Sequence, residues 1–268
     1  MTRKYIKISF LFIICISQLY SVLYSKSLEE ILIESPLQEY LVDIELKELY
    51  SGMELIDCIY VINLDERINR WNKLRNIWEK KGFFVNRVNA VNGWNISKDS
   101  IKALSAPHNA MLGGVLGCFL SHISVLKNAY ENQFEIIWVL EDDAEFVGDP
   151  QKIPELIKAL SKLDPQWDIL YTDVRNFGIT TGGFGVLPVS NKDYLNKDFM
   201  RVGKRFGTYS ILISKSGIQK LLYYFISNPL CDAIDVIIHW IPNIRKYAVR
   251  RNIVSYIRGT ESTTQHPL

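Results

Sequence analysis

Short apolar runs of strand length alternate with segments of helical periodicity from residue 55 onward, and this alternation constrains the fold more than any other feature. Residues 55–62, Leu-Ile-Asp-Cys-Ile-Tyr-Val-Ile, are rich in β-branched side chains, as expected for an inner strand of a mostly parallel sheet. Apolar side chains then recur at helical spacing from Ile68 to Trp78, and Gly82 ends that helix. The pattern predicts an α/β domain that begins near Leu55.

The same alternation continues over the rest of the chain. A loop containing Gly93 and Pro107 separates the second strand from a long helix, and Ser214 can cap a later one. The glycine-rich stretch 178–185 is typical of a mobile loop. We expect strands at 83–91, 135–140, 167–171 and 207–213, and helices around 115–132, 153–160 and 218–225.

Length, charge and cysteine content limit the classes of protein to consider. The 268 residues fit one large domain once an N-terminal leader is set aside. The net charge is only +2 and the basic residues are scattered, which excludes the basic surface of a nucleic-acid-binding protein. The four cysteines lie far apart and form neither a paired metal motif nor a dense disulfide scaffold. We interpret Cys58 and Cys118 as small, buried apolar residues.

The N-terminal 25 residues have the pattern of a targeting segment. Arg3, Lys4 and Lys7 precede an apolar run at 8–16. The run is short for a membrane span and is followed by a poor cleavage site, so a cleaved signal peptide and a signal-anchor both remain open. Basic residues before the run and acidic residues after it favour a cytoplasmic N-terminus and a translocated body.

These features predict the organisation and location of the chain. Residues 1–25 form the signal peptide or signal-anchor, 26–54 a stem or accessory segment, and 55–268 the main domain. We expect the protein to be membrane-associated or in the lumen of the secretory pathway: the endoplasmic reticulum or Golgi if eukaryotic, the inner membrane if bacterial. The sequence Asn95-Ile96-Ser97 is a candidate glycosylation acceptor in a lumenal body.

Three consecutive acids, Glu141, Asp142 and Asp143, directly follow the apolar run 136–140. A strand that ends in carboxylates places them at the carboxyl edge of the sheet, where ligands bind in open α/β folds. Three neighbouring acids repel one another, and a hard divalent cation such as Mg²⁺ or Mn²⁺ is the simplest compensation. The competing interpretation is a polar turn in which an Asp caps a helix.

Two further segments carry chemistry-bearing residues. After the first strand, Asn63 and Asp65 lead into Arg67 and Arg70, one helical turn apart, which can grip phosphate; alternatively Asp65 caps the helix and both arginines face solvent. The segment 113–122, Gly-Gly-Val-Leu-Gly-Cys-Phe-Leu-Ser-His, opens a helix with glycines that permit close approach of the backbone to a ligand. A helical histidine among apolar residues is, by contrast, more often a satisfied core group than a catalyst.

Taken in this order, the motifs resemble glycosyltransferase family 25, the group that includes bacterial lipooligosaccharide sugar transferases and procollagen galactosyltransferases. The resemblance spans most of the domain and is weakest over the C-terminal forty residues. It depends on the segments 62–65 with Arg67 and Arg70, 90–93, Gly114, 117–118 with Ser121 and His122, 140–144, 207–209, 213–217 and 233–235.

The resemblance implies a GT-A-like fold, a nucleotide-sugar-binding α/β sandwich with a central, mostly parallel sheet. It also implies Mn²⁺ or Mg²⁺ at the acidic cluster, where Glu141 replaces the first Asp of the usual Asp-x-Asp motif, so which pair of acids holds the ion stays open. Asp235 is the candidate base of an inverting reaction, with Asp232 as a neighbouring competitor. The residues expected near the nucleotide are Asn63, Asp65, Arg67, Arg70, Ser121 and His122.

The function that the resemblance implies is metal-dependent transfer of a hexose, galactose or glucose, from a UDP-sugar donor. The acceptor is expected to be a hydroxyl of a glycan, a lipooligosaccharide or a glycoprotein, and the N-terminal segment is expected to contact a membrane. The alternative is a catalytically silent adhesion module of the same fold, secreted or membrane-tethered. A metal-dependent phosphohydrolase is disfavoured because the four histidines show no ligand spacing.

Overall fold

An eight-stranded sheet forms the centre of the fold, with helices on both faces. The computed structural model describes residues 26–107, 111–174, 193–203 and 205–257. The predicted leader at 1–25 and the predicted loop at 178–185 lie outside these residues. Among the helices of the described ranges, none is both long and apolar enough to cross a bilayer.

The described residues contain ten strands and seven α-helices. The strands are β1 (Cys58–Asn63), β2 (Asn86–Asn89), β3 (Ile136–Glu141), β4 (Ala144–Phe146), β5 (Ile169–Tyr171), β6 (Asp193–Tyr194), β7 (Phe199–Arg201), β8 (Ser210–Ser214), β9 (Lys246–Val249) and β10 (Val254–Tyr256). The helices are α1 (Leu28–Glu34), α2 (Ile68–Glu79), α3 (Lys98–Leu104), α4 (Gly113–Glu131), α5 (Ile153–Leu163), α6 (Lys215–Ser227) and α7 (Ile234–Trp240).

The strand order in the large sheet is β2-β1-β3-β8-β5-β9-β7-β6. β1 is parallel to β2 and β3, and β5 is parallel to β9, whereas β8 runs antiparallel between β3 and β5. Following the pairings across the sheet, six of the eight strands point the same way and only β7 and β8 oppose them. The predicted α/β fold with a mostly parallel central sheet is therefore confirmed.

The second strand is shorter than the predicted 83–91. Gly82 has a φ of +79°, and the Phe83 N–H bonds the Trp78 carbonyl, so residues 82–83 close the end of α2 instead of joining the sheet. Only residues 86–89 pair with β1. The apolar side chain of Phe83 is still buried, which explains why it carried a strand-like pattern.

Residues 26–54 pack onto the domain. Ser27 caps α1 in a capping box, and Leu32 and Leu37 are buried in the same core as α4 and α6. The Ser124 hydroxyl accepts a hydrogen bond from the Val42 N–H, and Asn128 donates to the Ile44 carbonyl. Burial of two leucines and these bonds give this segment a fixed place beside α4.

The apolar core lies in two layers, one on each face of the sheet. Alternate residues of the inner strands supply both layers: Tyr60 and Val139 face α4 and α6, and Val61 and Trp138 face α2 and α5. Because both faces are covered, the strands are apolar throughout. The polar residues that close β1 and β3, Asn63 and Glu141, therefore come together at the same carboxyl edge.

Candidate functional site

A cavity of about 260 Å³ opens at the carboxyl edge of β1 and β3. Two arginines, three acids and a thiol contribute to its wall, together with the side chains of Trp94, Ser121 and Tyr256. The charged and sulfur-containing residues are Arg67, Arg70, Cys118, Glu141, Asp142 and Asp143. All three sequence motifs thus contribute to one cavity: Arg67 and Arg70, the acids at 141–143, and the helical segment 113–122 through Gly114, Cys118 and Ser121.

Asp142 is held from both sides. Asn63 Nδ2 donates to Asp142 Oδ2 at 2.8 Å, and an Arg70 guanidinium nitrogen donates to Asp142 Oδ1 at 3.1 Å. Asn63 is itself fixed, because its Nδ2 also donates to the Arg67 carbonyl and its Oδ1 accepts from Arg87 Nε at 2.8 Å. Both carboxylate oxygens of Asp142 therefore have partners from the protein, and its negative charge is balanced by Arg70.

Asp143 has the opposite environment. Its Oδ1 is buried and has no hydrogen-bond partner among the described residues. Burial, followed by the charges of Glu141 and Asp142, raises the pKa of Asp143 to about 7, against a smaller lowering effect from Arg70. An unpartnered buried carboxylate oxygen is rare and costly, and a divalent cation would supply the missing charge and contact.

Glu141 is oriented by two side chains. Its Oε1 accepts from the Thr208 hydroxyl at 2.7 Å and lies 3.3 Å from His122 Nε2. Burial by itself would raise the pKa of Glu141, but the hydrogen bond and charge of His122, with the Thr208 hydroxyl, outweigh it and lower the pKa. Glu141 is thus kept as a carboxylate at the cavity wall.

His122 and Ser121 were expected near a nucleotide, and the structure gives both other contacts. His122 is 2% exposed, does not line the cavity, and lies behind Glu141 on α4. Ser121 does line the cavity, but its hydroxyl accepts from the Val91 N–H and donates to the Gly117 carbonyl. Both side chains therefore position their neighbours.

The glycines of α4 serve helix packing more than ligand approach. A Cβ on Gly117 would lie 2.4 Å from the Val91 carbonyl oxygen and 2.5 Å from the Gly93 nitrogen. A Cβ on Gly113 would meet the Gly93 carbonyl oxygen at 2.7 Å. These contacts explain why glycines recur in both segments: α4 lies directly against the backbone that forms the cavity wall at 91–93.

Asp65, which the resemblance places near the nucleotide, is not among the residues that line the cavity. Its side chain is 67% exposed and accepts a hydrogen bond from Arg87 at 2.7 Å. It does not cap α2 either, since Leu64 and Arg67 occupy the cap positions of the two helical segments that follow β1. Asp65 instead fixes Arg87, which in turn holds Asn63.

Asp235 sits in the first turn of α7, whose N-cap is Ala233, and is not part of the cavity lining. Its Oδ2 accepts from the Gly207 N–H at 2.6 Å and its Oδ1 from the Val236 N–H at 2.8 Å. Burial raises the pKa of Asp235, and the charges of Glu141 and Asp232 add to that effect against these two hydrogen bonds.

The segment 205–209 connects three acids, which sequence reasoning did not foresee. Arg205 and Tyr209 both donate to the buried carboxylate of Asp173, while the neighbouring Gly207 and Thr208 donate to the site carboxylates described above. The Arg205 guanidinium also lies 4.0 Å from the ring centroid of Tyr171. The segment therefore sets the relative positions of acids that come from three different elements.

Cys118 is only partly buried, which corrects the expectation that it is a core residue; Cys58 is buried as predicted. Burial and then the charges of Glu141, Asp235 and Asp143 raise the pKa of the Cys118 thiol. None of the three described cysteines is in a disulfide. Neither Tyr256 nor Arg87 carried a motif-level signal, because each reaches the site through tertiary contacts alone. Thr208 belongs to the motif at 207–209, but its contact with Glu141 was not predicted.

Comparison with known proteins gives a family match. A family model described as glycosyltransferase family 25 (LPS biosynthesis protein) matches residues 56–238. Procollagen galactosyltransferase 2 of Homo sapiens is 28% identical over 178 residues, which cover 62% of this chain and 27% of that protein. Inactive glycosyltransferase 25 family member 3 of Homo sapiens is 27% identical over 127 residues, covering 43% of this chain and 21% of that protein.

The chain spans about a quarter of the length of these curated relatives. Among solved structures, a glycosyltransferase involved in the glycosylation of the major capsid of PBCV-1 matches with a TM-score of 0.39 and 13% identity, over 78% of this chain and 98% of that one. That structural likeness is too distant to support a conclusion. The family match carries more weight because it includes the acidic cluster, both cavity arginines and Asp235.

Proposed function

The chain belongs to glycosyltransferase family 25, and from that premise we propose that it transfers a hexose from a UDP-sugar to a hydroxyl acceptor with the help of a divalent cation. The observation that carries the proposal is the buried, unpartnered Oδ1 of Asp143, at the wall of a cavity shared with Glu141 and two arginines. This arrangement combines a place for a cation with positive charge for phosphate.

Glu141 and Asp143 are the proposed ligands of Mn²⁺ or Mg²⁺. Asp142 is less suited, because both of its oxygens already accept hydrogen bonds from Asn63 and Arg70. When bound, the cation acts as a Lewis acid that draws charge from the departing nucleoside diphosphate. The protein's own contribution is to orient Glu141 through Thr208 and His122 and to keep Asp142 and Arg70 paired beside it.

Arg67 and Arg70 are the proposed contacts for the diphosphate. Both line the cavity, and they lie three residues apart at the start of α2. Guanidinium groups are suited to phosphate because they present several donors in a fixed plane. Asn63 positions this edge by bonding both the Arg67 carbonyl and Asp142.

Asp235 is the proposed base in an inverting transfer. Burial raises its proton affinity, which suits a group that accepts a proton from an acceptor hydroxyl. Replacement by asparagine should lower kcat about 10²-fold or more without weakening donor binding. Asp232→Asn is the matched control, since Asp232 is exposed and only three residues away. Full activity in Asp235→Asn would remove Asp235 from this role.

The donor sugar is proposed to be galactose or glucose, and the acceptor a glycan, lipooligosaccharide or protein-linked hydroxyl. One relative is named a procollagen galactosyltransferase, and this name supports galactose as the proposed sugar for this chain. The N-terminal basic residues and apolar run support attachment to a membrane or entry into a secretory lumen. Nucleic acid is not a proposed partner, given the net charge of +2.

The alternative function is a catalytically silent adhesion module. It is favoured by one observation, the similarity to a relative whose name calls it inactive. The presence of the three acids at the cavity wall argues for the transferase.

The test is donor hydrolysis and transfer by the purified full chain, with UDP-galactose or UDP-glucose, in Mn²⁺ or in chelator. We expect turnover in Mn²⁺ only, and its loss in Asp143→Asn. Asp43→Asn is the matched control because the Asp43 side chain is fully exposed and lies 4.0 Å from Lys127, remote from the acidic cluster in sequence. Absence of metal-dependent binding of either donor would favour the adhesion module.

A further inference from the structure

One group of side chains at the cavity differs in chemistry from the hard-cation site. Cys118 Sγ, a ring nitrogen of His122 and a carboxylate oxygen of Glu141 all lie within 4.8 Å of one another. Cys118 and His122 are four residues apart on α4 and so share one face of the helix, and Glu141 approaches that face from the end of β3. Two rigid elements thus hold three different ligand types together.

The spacing suits a tetrahedral metal ion. Ligand atoms around a tetrahedral Zn²⁺, at about 2.0–2.3 Å from the ion, stand roughly 3.5 Å apart. His122 Nε2 and Glu141 Oε1 are already 3.3 Å apart. The ligand atoms of all three residues lie within 4.8 Å of one another, so a tetrahedral site requires the Cys118 and Glu141 side chains to move closer, and both of these residues are partly exposed.

The site also has an open side. Cys118 and Glu141 line the cavity, whereas His122 lies behind them and is buried. A cation held by the three residues would therefore keep its fourth position toward the cavity, as in zinc sites that have three protein ligands and an exchangeable one. The negative charges of Glu141, Asp235 and Asp143 act on the Cys118 thiol and would also favour a cation there.

We propose that Cys118, His122 and Glu141 form a binding site for Zn²⁺ or another thiolate-preferring divalent cation, separate from the proposed Glu141–Asp143 site but sharing Glu141 with it. Binding replaces the Cys118 thiol proton, which is released to solvent, by a sulfur–metal bond. Mn²⁺ and Mg²⁺ prefer oxygen ligands, so they would not engage the thiol.

One consequence rests on the proposed function. Because the two proposed sites share Glu141, and two cations held so close together would repel each other, Zn²⁺ should oppose activation of the transferase by Mn²⁺. The direct test of the zinc site uses no activity measurement, so it can fail while the proposed transferase function stands, and the converse also holds.

The test is titration of metal-free full chain with Co²⁺, which occupies zinc sites and gives a near-ultraviolet charge-transfer band when a thiolate is bound. We expect the band in the wild type, its displacement by Zn²⁺, and its loss in Cys118→Ser. Cys231→Ser is the matched control, since Cys231 is an exposed thiol remote in sequence from the cluster, and should keep the band. A wild type without the band, or a band that survives in folded Cys118→Ser, overturns the proposal.

A second measurement covers the case in which Cys118→Ser does not fold. X-ray absorption of the zinc-loaded Cys15→Ser, Cys231→Ser double variant should show one sulfur at about 2.3 Å together with nitrogen or oxygen ligands. Cys58, the other remaining thiol, is buried and is hydrogen-bonded by Asn86. A zinc shell of nitrogen and oxygen alone would refute the site.

Discussion

Asp143 gives the sharpest prediction, because the same substitution should stabilise the metal-free protein and abolish its response to a cation. The pKa of Asp143 rises from 3.8 to about 7 in the fold. The folded state disfavours the charged form of Asp143. The contribution of this carboxyl to the free energy of unfolding is therefore fully present below about pH 4, where the carboxyl is protonated in both states, and is lost as the pH rises through about 7. Asp143→Asn removes this loss at pH 8.

The size of the effect follows from the pKa change. About three units at about 1.4 kcal/mol each set an upper limit of ~4 kcal/mol at pH 8. The buried amide that replaces the carboxylate lacks a partner and costs about 1 kcal/mol or more, so we expect a net gain of about 1–3 kcal/mol. For a domain of this size, that corresponds to a rise in Tm on the order of 2–10 °C.

The assay is thermal unfolding of the full chain at pH 5 and pH 8, in chelator and in Mn²⁺. In chelator, Asp143→Asn should melt above the wild type at pH 8, and the difference should shrink at pH 5, where the wild-type carboxyl is protonated. In Mn²⁺, the wild type should gain stability and the variant should not. An increase in the melting temperature of Asp143→Asn that is the same at both pH values, or equal stabilisation of both proteins by Mn²⁺, would refute this account of Asp143. As the control, Asp43→Asn should match the wild type under all four conditions.

Two further substitutions test other parts of the site. Gly117→Ala places a Cβ 2.4 Å from the Val91 carbonyl oxygen, so chemical denaturation should show that the free energy of unfolding falls by about 2–3 kcal/mol or more. Gly203→Ala is the control and should change little, because a Cβ there meets nothing within 4 Å. Equal losses in the two variants would contradict the packing argument. Thr208→Val removes a 2.7 Å hydrogen bond to Glu141. The Mn²⁺ concentration for half-maximal activity should therefore rise about 3- to 10-fold, and the free energy of unfolding should fall by about 1 kcal/mol. An unchanged Mn²⁺ requirement would show that Thr208 does not orient Glu141.

Much of the fold could be predicted because its signals are local. The β-branched run before Asn63 and the apolar run before Glu141 each specify a buried strand, and a buried strand in an α/β sheet must end in polar residues at an edge. The prediction was weaker where local and tertiary effects compete. Phe83 has a strand-like neighbourhood, yet the left-handed Gly82 keeps it at the end of α2.

The candidate site was predicted as a set of residues but not as an arrangement. Arg70 and the three acids line one cavity as expected. Asp65 differs because Arg87, which is 22 residues away, draws it outward. His122 was expected to contact a ligand, and its burial behind Glu141 depends on how α4 packs against the sheet. No pattern within either segment contains that information.

The sequence by itself determined the alternating elements, the family and the position of three carboxylates at a sheet edge, since periodicity and strand ends are properties of neighbouring residues. Only the tertiary structure decided how the three acids differ. Asn63 reaches Asp142 across 79 residues and Thr208 reaches Glu141 across 67, leaving Asp143 with an unpartnered oxygen. Three adjacent carboxylates are equivalent in the chain, and they become different because distant residues supply hydrogen bonds to two of them and burial to the third.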